Sequence, residues 1–135
     1  LANEEFSLPE NLIIIGTMNT ADRSTRSLDI AMRRRFSFFE LLTDVEILKK
    51  FYKSGLKNEL GDELFTGFEN LNKKLLGDLD KHFTIGHSYF MTDTMSKAQM
   101  RNTWSQEIFP LIEEYFFDQE DRISEYSLNT FWPSV

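Results

Sequence analysis

Two clusters of residues in this chain have the types and spacing to do chemistry. The first is Asn19, Thr20, Asp22 and Arg23, with Arg33, Arg34 and Arg35 shortly after. Asn19 carries both a donor and an acceptor in one neutral amide. An Asn in such a run also bonds to its own backbone in a turn, and spacing alone favours the turn. Asp22 could accept from a water or hold Arg23 or a neighbouring arginine. It serves equally as a turn or capping aspartate. The three adjacent arginines end a short helix, where the helix dipole favours cations. They could also hold nucleic-acid phosphates, but the acidic chain and the Phe-rich run that follows count against that. The second cluster is Gly86, His87 and Ser88. A glycine lets the backbone approach a ligand closely, and His87 could meet that ligand or pack among the aromatics beside it. His82 and His87 have no carboxylate at metal-ligand spacing, so no zinc site is expected. No nucleophile triad is readable.

The elements that must position these clusters follow from apolar spacing. Leu12 to Ile15 is a short, β-branched run ending at Gly16, and predicts a buried strand over 11–16. The first polar cluster follows at once, at the carboxyl end of that strand, where open α/β sheets bind ligands. Residues 27–35 read as a helix with Leu28, Ala31, Met32 and Arg35 on one face, and 36–41 as a second strand. Thr43-Asp44-Val45-Glu46 is a capping-box pattern, and Val45, Leu48, Phe51 and Tyr52 then recur at helical spacing. Residues 53–61 read as a loop. Leu64, Phe68, Leu71 and Leu75 predict a helix over 62–76 with Gly77 as its C-cap. Residues 78–90 hold a short element that ends in Gly86-His87-Ser88-Tyr89-Phe90. Ser96-Lys97-Ala98-Gln99 is another cap, and Met100, Trp104, Ile108, Leu111 and Tyr115 predict a long helix that Pro110 kinks or splits. Residues 118–135 are acidic, then mixed, and are expected to be poorly ordered towards their end. The chain is thus α/β in character to about Leu42 and all-helical beyond it: an α+β chain, mostly α.

Composition sets the bounds. The chain has 135 residues, enough for one domain or two small ones. It is 41% hydrophobic with 13 Phe, which suffices for a packed core and argues against disorder. No apolar run approaches the roughly 18 residues of a membrane span. The first ten residues are polar or acidic, so no signal peptide is expected. With no cysteine, disulfides and thiolate metal sites are excluded, which suits a cytoplasmic protein. A net charge of −7 is a poor basis for wrapping nucleic acid. The arginines at 23, 26, 33, 34 and 35 form a local basic patch on an acidic body. No internal repeat or low-complexity stretch is present.

Four blocks in order carry a resemblance: Gly16-Thr17-Met18-Asn19-Thr20-Ala21-Asp22-Arg23-Ser24, Arg33-Arg34-Arg35-Phe36, Ile85-Gly86-His87-Ser88-Tyr89-Phe90, and Pro110 to Asp118. Together they resemble the AAA+ ring ATPases, and among these the McrB branch, the GTP-hydrolysing motor subunits of modification-dependent restriction systems. The resemblance implies the last strands of an AAA+ core over 1–42 and a helical lid over 43–135. It implies that Asn19 orients the water that attacks the γ-phosphate, and that Asp22 lies beside the phosphates or the ring interface. Arg34 and Arg35 match the arginine-finger positions, where a guanidinium reaches the neighbour's γ-phosphate. Thr20, Arg23, Gly86, His87 and Ser88 would face the nucleotide or the ring interface, His87 meeting the base or a phosphate. GTP or ATP with Mg2+, a hexameric ring, a partner nuclease and DNA held through other domains are implied as well. One departure is that no clearly placed lid arginine is present; Arg101 is the only candidate, and its flanks do not match.

No G-x-x-x-x-G-K-[ST] loop starts at any of the six glycines, and no Walker-B carboxylate ends a buried strand. The expectation is therefore a C-terminal half of a motor domain, inactive alone and holding no cofactor tightly. Two alternatives remain open: a generic ATP-driven remodeller, and a non-catalytic ring or adaptor subunit.

Overall fold

The first helix forms where the chain supplies a cap and then an apolar stripe. In the computed structural model, which describes residues 8–18 and 34–135, α1 spans Val45–Lys53. Its cap is Asp44, whose carboxylate accepts from the Glu46 N–H at 2.8 Å. The pattern Thr43 to Glu46 points to Thr43; Asp44 takes the role one residue later, because either side chain offers the oxygen that a cap requires. Leu48 and Tyr52 turn inward, with Val45 and Phe51 packed at the margin.

The central helix, α2, spans Asp62–Asp78. Leu64, Phe68, Leu71 and Leu75 are buried along it, as their spacing predicts. Gly77 is not its C-cap. The helix runs on through the glycine to Asp78, and the Leu79 N–H closes it on the Leu75 carbonyl at 2.9 Å. Asp78 is gripped by side chains from α2 and from the later chain, which carries the helix past a residue that would otherwise end it. Gly67 has a different use. A Cβ there would lie 2.2 Å from Trp132 Nε1 and 2.7 Å from the Phe131 carbonyl oxygen. Only glycine lets the α2 backbone meet that indole, whose Nε1–H donates to the Leu64 carbonyl at 3.4 Å.

Two single 3-10 turns follow, Lys81–Phe83 and His87–Phe90. The strand β2, Thr94–Met95, then pairs in parallel with β1, Lys57–Asn58. The register sets Lys57 beside Thr94 and Asn58 beside Met95, and the Glu59 N–H donates to the Met95 carbonyl at 2.9 Å. Part of the segment 53–61, read as a loop from sequence, is thereby a strand. Two residues are too few for alternation to show. Ser96 caps α3, Lys97–Thr103, and accepts from the Gln99 N–H at 3.1 Å. The long helix expected beyond it is split. A π-helical turn, Trp104–Ile108, separates α3 from α4, Phe109–Tyr115. The Phe109 N–H reaches back five residues to the Trp104 carbonyl. Pro110 has no N–H to give, and its ring crowds the carbonyl four residues before it. The wider turn makes that room.

The expectation of poor order towards residue 135 is overturned. Two short helices follow: α5, Glu120–Ile123, reaches the end of α2 through Arg122 and Asp78, and α6, Leu128–Phe131, folds back on α2. Tyr126, Phe131 and Trp132 are buried, Trp132 completely. Three aromatics at uneven spacing give no helical period, yet together they fill the groove between α2 and the π-helical turn. Trp132 packs against Phe90 and Trp104, with ring centroids 5.6 and 6.0 Å apart.

The strands expected at 11–16 and 36–41 are also corrected. Residues 12–18 and 37–44 carry no ladder hydrogen bonds of a strand among the described residues. Ile13 and Ile15 are 81% and 88% exposed, Phe39 and Leu41 87% and 97%. A strand of a parallel sheet is held by neighbours on its edges, and the described residues supply none to either run. The helix expected at 27–35 lies outside the described residues except for Arg34 and Arg35, which form a turn. The chain divides into two units, residues 1–37 and 38–135. The second holds all the helices and the two-stranded sheet described above, so the fold is α+β and mostly α.

Candidate functional site

The best-defined polar feature in the second unit is the turn that carries Gly86, His87 and Ser88. It is held at both ends. In front of it, Asn72 of α2 clasps Ile85 through both of that residue's backbone groups. The Ile85 N–H donates to Asn72 Oδ1 at 2.6 Å, and Asn72 Nδ2 donates to the Ile85 carbonyl at 3.1 Å. Asn72 is only 8% exposed, and the Ile85 side chain is buried beside it. Behind the turn, the Tyr52 hydroxyl of α1 donates to the Phe90 carbonyl at 2.7 Å and lies 3.4 Å from the Thr92 N–H, which donates to it. Phe90 is fully buried and meets Phe68 edge-on at 5.3 Å. Between these anchors Ser88 is exposed, while Gly86 and His87 are half-buried. The His87 ring presses its Nδ1 into the protein, where that atom has no hydrogen-bond partner among the described residues.

Gly86 adopts φ −64° and ψ 145°, an extended conformation open to any residue. A Cβ there would meet only the Ser88 Oγ, at 3.5 Å. The fold itself thus does not require glycine at this position.

A second polar cluster joins the end of α2 to the α5–α6 region. The Asp78 carboxylate accepts from Lys74 at 2.9 Å, from Arg122 at 2.7 Å and from the Tyr126 hydroxyl at 2.7 Å. Lys74 also bonds Glu125 and lies over the Tyr126 ring, 4.9 Å from its centre. Donation from Tyr126, then from Lys74 and Arg122, holds the Asp78 carboxyl below its ordinary value. Burial, then the bond to Asp78, pushes the Tyr126 phenol up. Every member has a partner in the cluster, so its role is to tie two elements together.

Of the residues singled out from sequence, Gly86, His87 and Ser88 stand together on this turn. Arg34 and Arg35 stand exposed on the turn in the first unit. Asn19, Thr20, Asp22 and Arg23 lie outside the described residues. Sequence reasoning missed Asn72 and Tyr52. The signal for Asn72 was an amide lying between Leu71 and Leu75, on the face of α2 that is otherwise apolar. Among the described residues no group of three His, Cys, Asp or Glu could hold a metal ion, and no helix is long and apolar enough to cross a membrane.

Residues 63–124 match the model of the McrB alpha-helical lid domain. The matched stretch takes in nearly all of α2, both 3-10 turns, the π-helical turn and the Asn72 clasp. The chain is also similar to the Escherichia coli (strain K12) type IV methyl-directed restriction enzyme EcoKMcrB subunit, at 38% identity over 128 residues. That alignment covers 85% of this chain and 28% of the relative, so the chain spans well under a third of the relative's length.

Proposed function

We propose that the chain is the C-terminal part of the motor domain of an McrB-like AAA+ subunit of a restriction system. The subunit hydrolyses GTP, or ATP, in a hexameric ring, and drives a partner endonuclease that cleaves modified DNA bound through other domains. The observation that carries this reading is the extent of the similarity. An alignment over 85% of the chain reaches well beyond residues 63–124 and must take in much of 1–62. The lid alone could sit on many motors; the flanking sequence resembles one kind.

On this reading residues 1–42 are the end of the α/β core and 43–135 the lid. Asn19 orients the attacking water, with Asp22, Thr20 and Arg23 beside it. Arg34 or Arg35 reaches the neighbouring subunit's γ-phosphate, where a guanidinium stabilises charge that grows in the transition state. The lid turn at Gly86, His87 and Ser88 faces the nucleotide. Magnesium arrives with the nucleotide. The described residues offer no set of carboxylates to hold it, and none of these roles runs through it.

The test is phosphate release by the full-length protein from GTP and from ATP, with Asn19→Ala beside the wild type. Loss of the water-orienting amide should lower kcat about a hundredfold or more with little change in nucleotide affinity. A collapse of affinity with normal turnover at saturation would refute the role given to Asn19.

A further inference from the structure

We propose that Asn72 is a positioning residue for the lid turn: its clasp on Ile85 sets where Gly86, His87 and Ser88 stand before nucleotide arrives. The proposal rests on the reading of that turn as nucleotide-facing and adds the residue that fixes its place.

The argument begins with what a buried amide costs. A polar side chain removed from water is destabilising unless its donor and acceptor are both met. Asn72 lies on the apolar face of α2, where leucine would pack without that demand. Its oxygen and nitrogen are both met by one residue's backbone, the N–H and carbonyl of Ile85. This is the pairing a neighbouring strand would make, supplied here by a side chain. Ile85 and Gly86 are adjacent, so the clasp fixes the backbone at the entrance to the turn. Tyr52 fixes the exit through Phe90 and Thr92. Between two fixed ends, four residues of 3-10 helix have little freedom. His87 and Ser88 are thus carried by α1 and α2 as a rigid insert. A ligand meeting them pays little ordering entropy, which is how preorganisation raises affinity.

The test compares full-length wild type, Asn72→Leu, His87→Ala and the double variant in steady-state hydrolysis of GTP and ATP. Amide hydrogen exchange of residues 84–90 is followed beside it. Asn72→Leu should raise KM about tenfold or more with kcat nearly unchanged, since small misplacements of binding groups carry effects of that order. In the His87→Ala background it should add less than about twofold, because both changes remove one interaction. Exchange over 84–90 should accelerate. Ile112→Val, a core change that leaves both the Asn72 and the Tyr52 anchors intact, should leave KM at the wild-type value, which separates positioning from general destabilisation. An unmoved KM in Asn72→Leu where His87→Ala moves it overturns the proposal. Full additivity in the double variant does the same. If His87→Ala itself leaves KM unmoved, the nucleotide-facing reading fails. Exchange then decides: unchanged protection of 84–90 in Asn72→Leu overturns the positioning role, and lost protection upholds it. Should Asn72→Leu fail to fold, Asn72→Asp takes its place under the same outcomes. It keeps the acceptor for the Ile85 N–H and loses the donor to the carbonyl.

Discussion

Asp78 shows how one side chain can hold distant parts of the chain together. Three donors converge on it, from α2 itself and from Arg122 and Tyr126 more than forty positions later. Its pKa is lowered in the folded protein. A carboxyl with a depressed folded pKa contributes stability above its unfolded value, near 4, and loses it as pH falls through the folded value. Thermal unfolding of the chain should therefore show a fall in Tm from about pH 4 downward. Asp78→Asn should start lower at pH 7 and respond less steeply across the acid range, because the titrating group is gone. Parallel curves for the two proteins, measured by circular dichroism, would place the acid sensitivity elsewhere. At the same scale, Asn72 was legible in principle and Asp78 was not. A lone amide on an apolar stripe is a visible anomaly, whereas an aspartate near a glycine at a helix end looks like any solvated terminus.

Elements divide along the same line. Helices α1, α2 and α3 were readable because each buries residues at a regular period behind a side-chain cap or an acidic first turn. The π-helical turn was half readable: Pro110 marks a break, but its form depends on carbonyls meeting donors five residues on. The strands expected at 11–16 and 36–41 failed for the opposite reason, since apolar runs predict burial only where a neighbour covers them. The end of segment 118–135 was misread because its anchors, Tyr126, Phe131 and Trp132, work by shape and not by period. It follows that the helical unit of this chain needs more than the residues 63–124 that match the McrB lid model. A chain cut after Ser124 loses Trp132, and truncating a buried Trp alone costs about 3–5 kcal/mol. That is a large share of the roughly 5–15 kcal/mol that holds a small domain folded. Residues 38–124 should give a broad, weak thermal transition and bind a hydrophobic dye, while 38–135 should unfold cooperatively. A sharp transition from the shorter chain would show that the later aromatics are dispensable.

For the whole molecule, the proposed ring makes a claim about who supplies what. Arg35 is assigned to the next subunit's nucleotide, and Arg34 is the second candidate. A trans-acting finger is worth roughly a thousandfold in turnover, whereas a cation at a helix end contributes under about 1 kcal/mol. Mixing full-length Arg35→Ala subunits with subunits whose phosphate-binding loop is disabled should restore hydrolysis, since each lacks what the other brings. No recovery in rings shown to be mixed would return Arg35 to its own subunit or to the fold. The core of the lid has a different dependence, set by time. Trp132 fills its groove by meeting Leu64, 68 positions earlier. At a synthesis rate of about 5–20 residues per second, Leu64 has been made for roughly 3–14 seconds before that indole exists. Phe68 is already present, Phe90 and Trp104 are made in turn during that interval, and each then waits without the ring that covers it. The time for which this aromatic cluster stays uncovered is thus fixed by the ribosome's pace, and slower translation of the stretch from α4 to α6 would lengthen it.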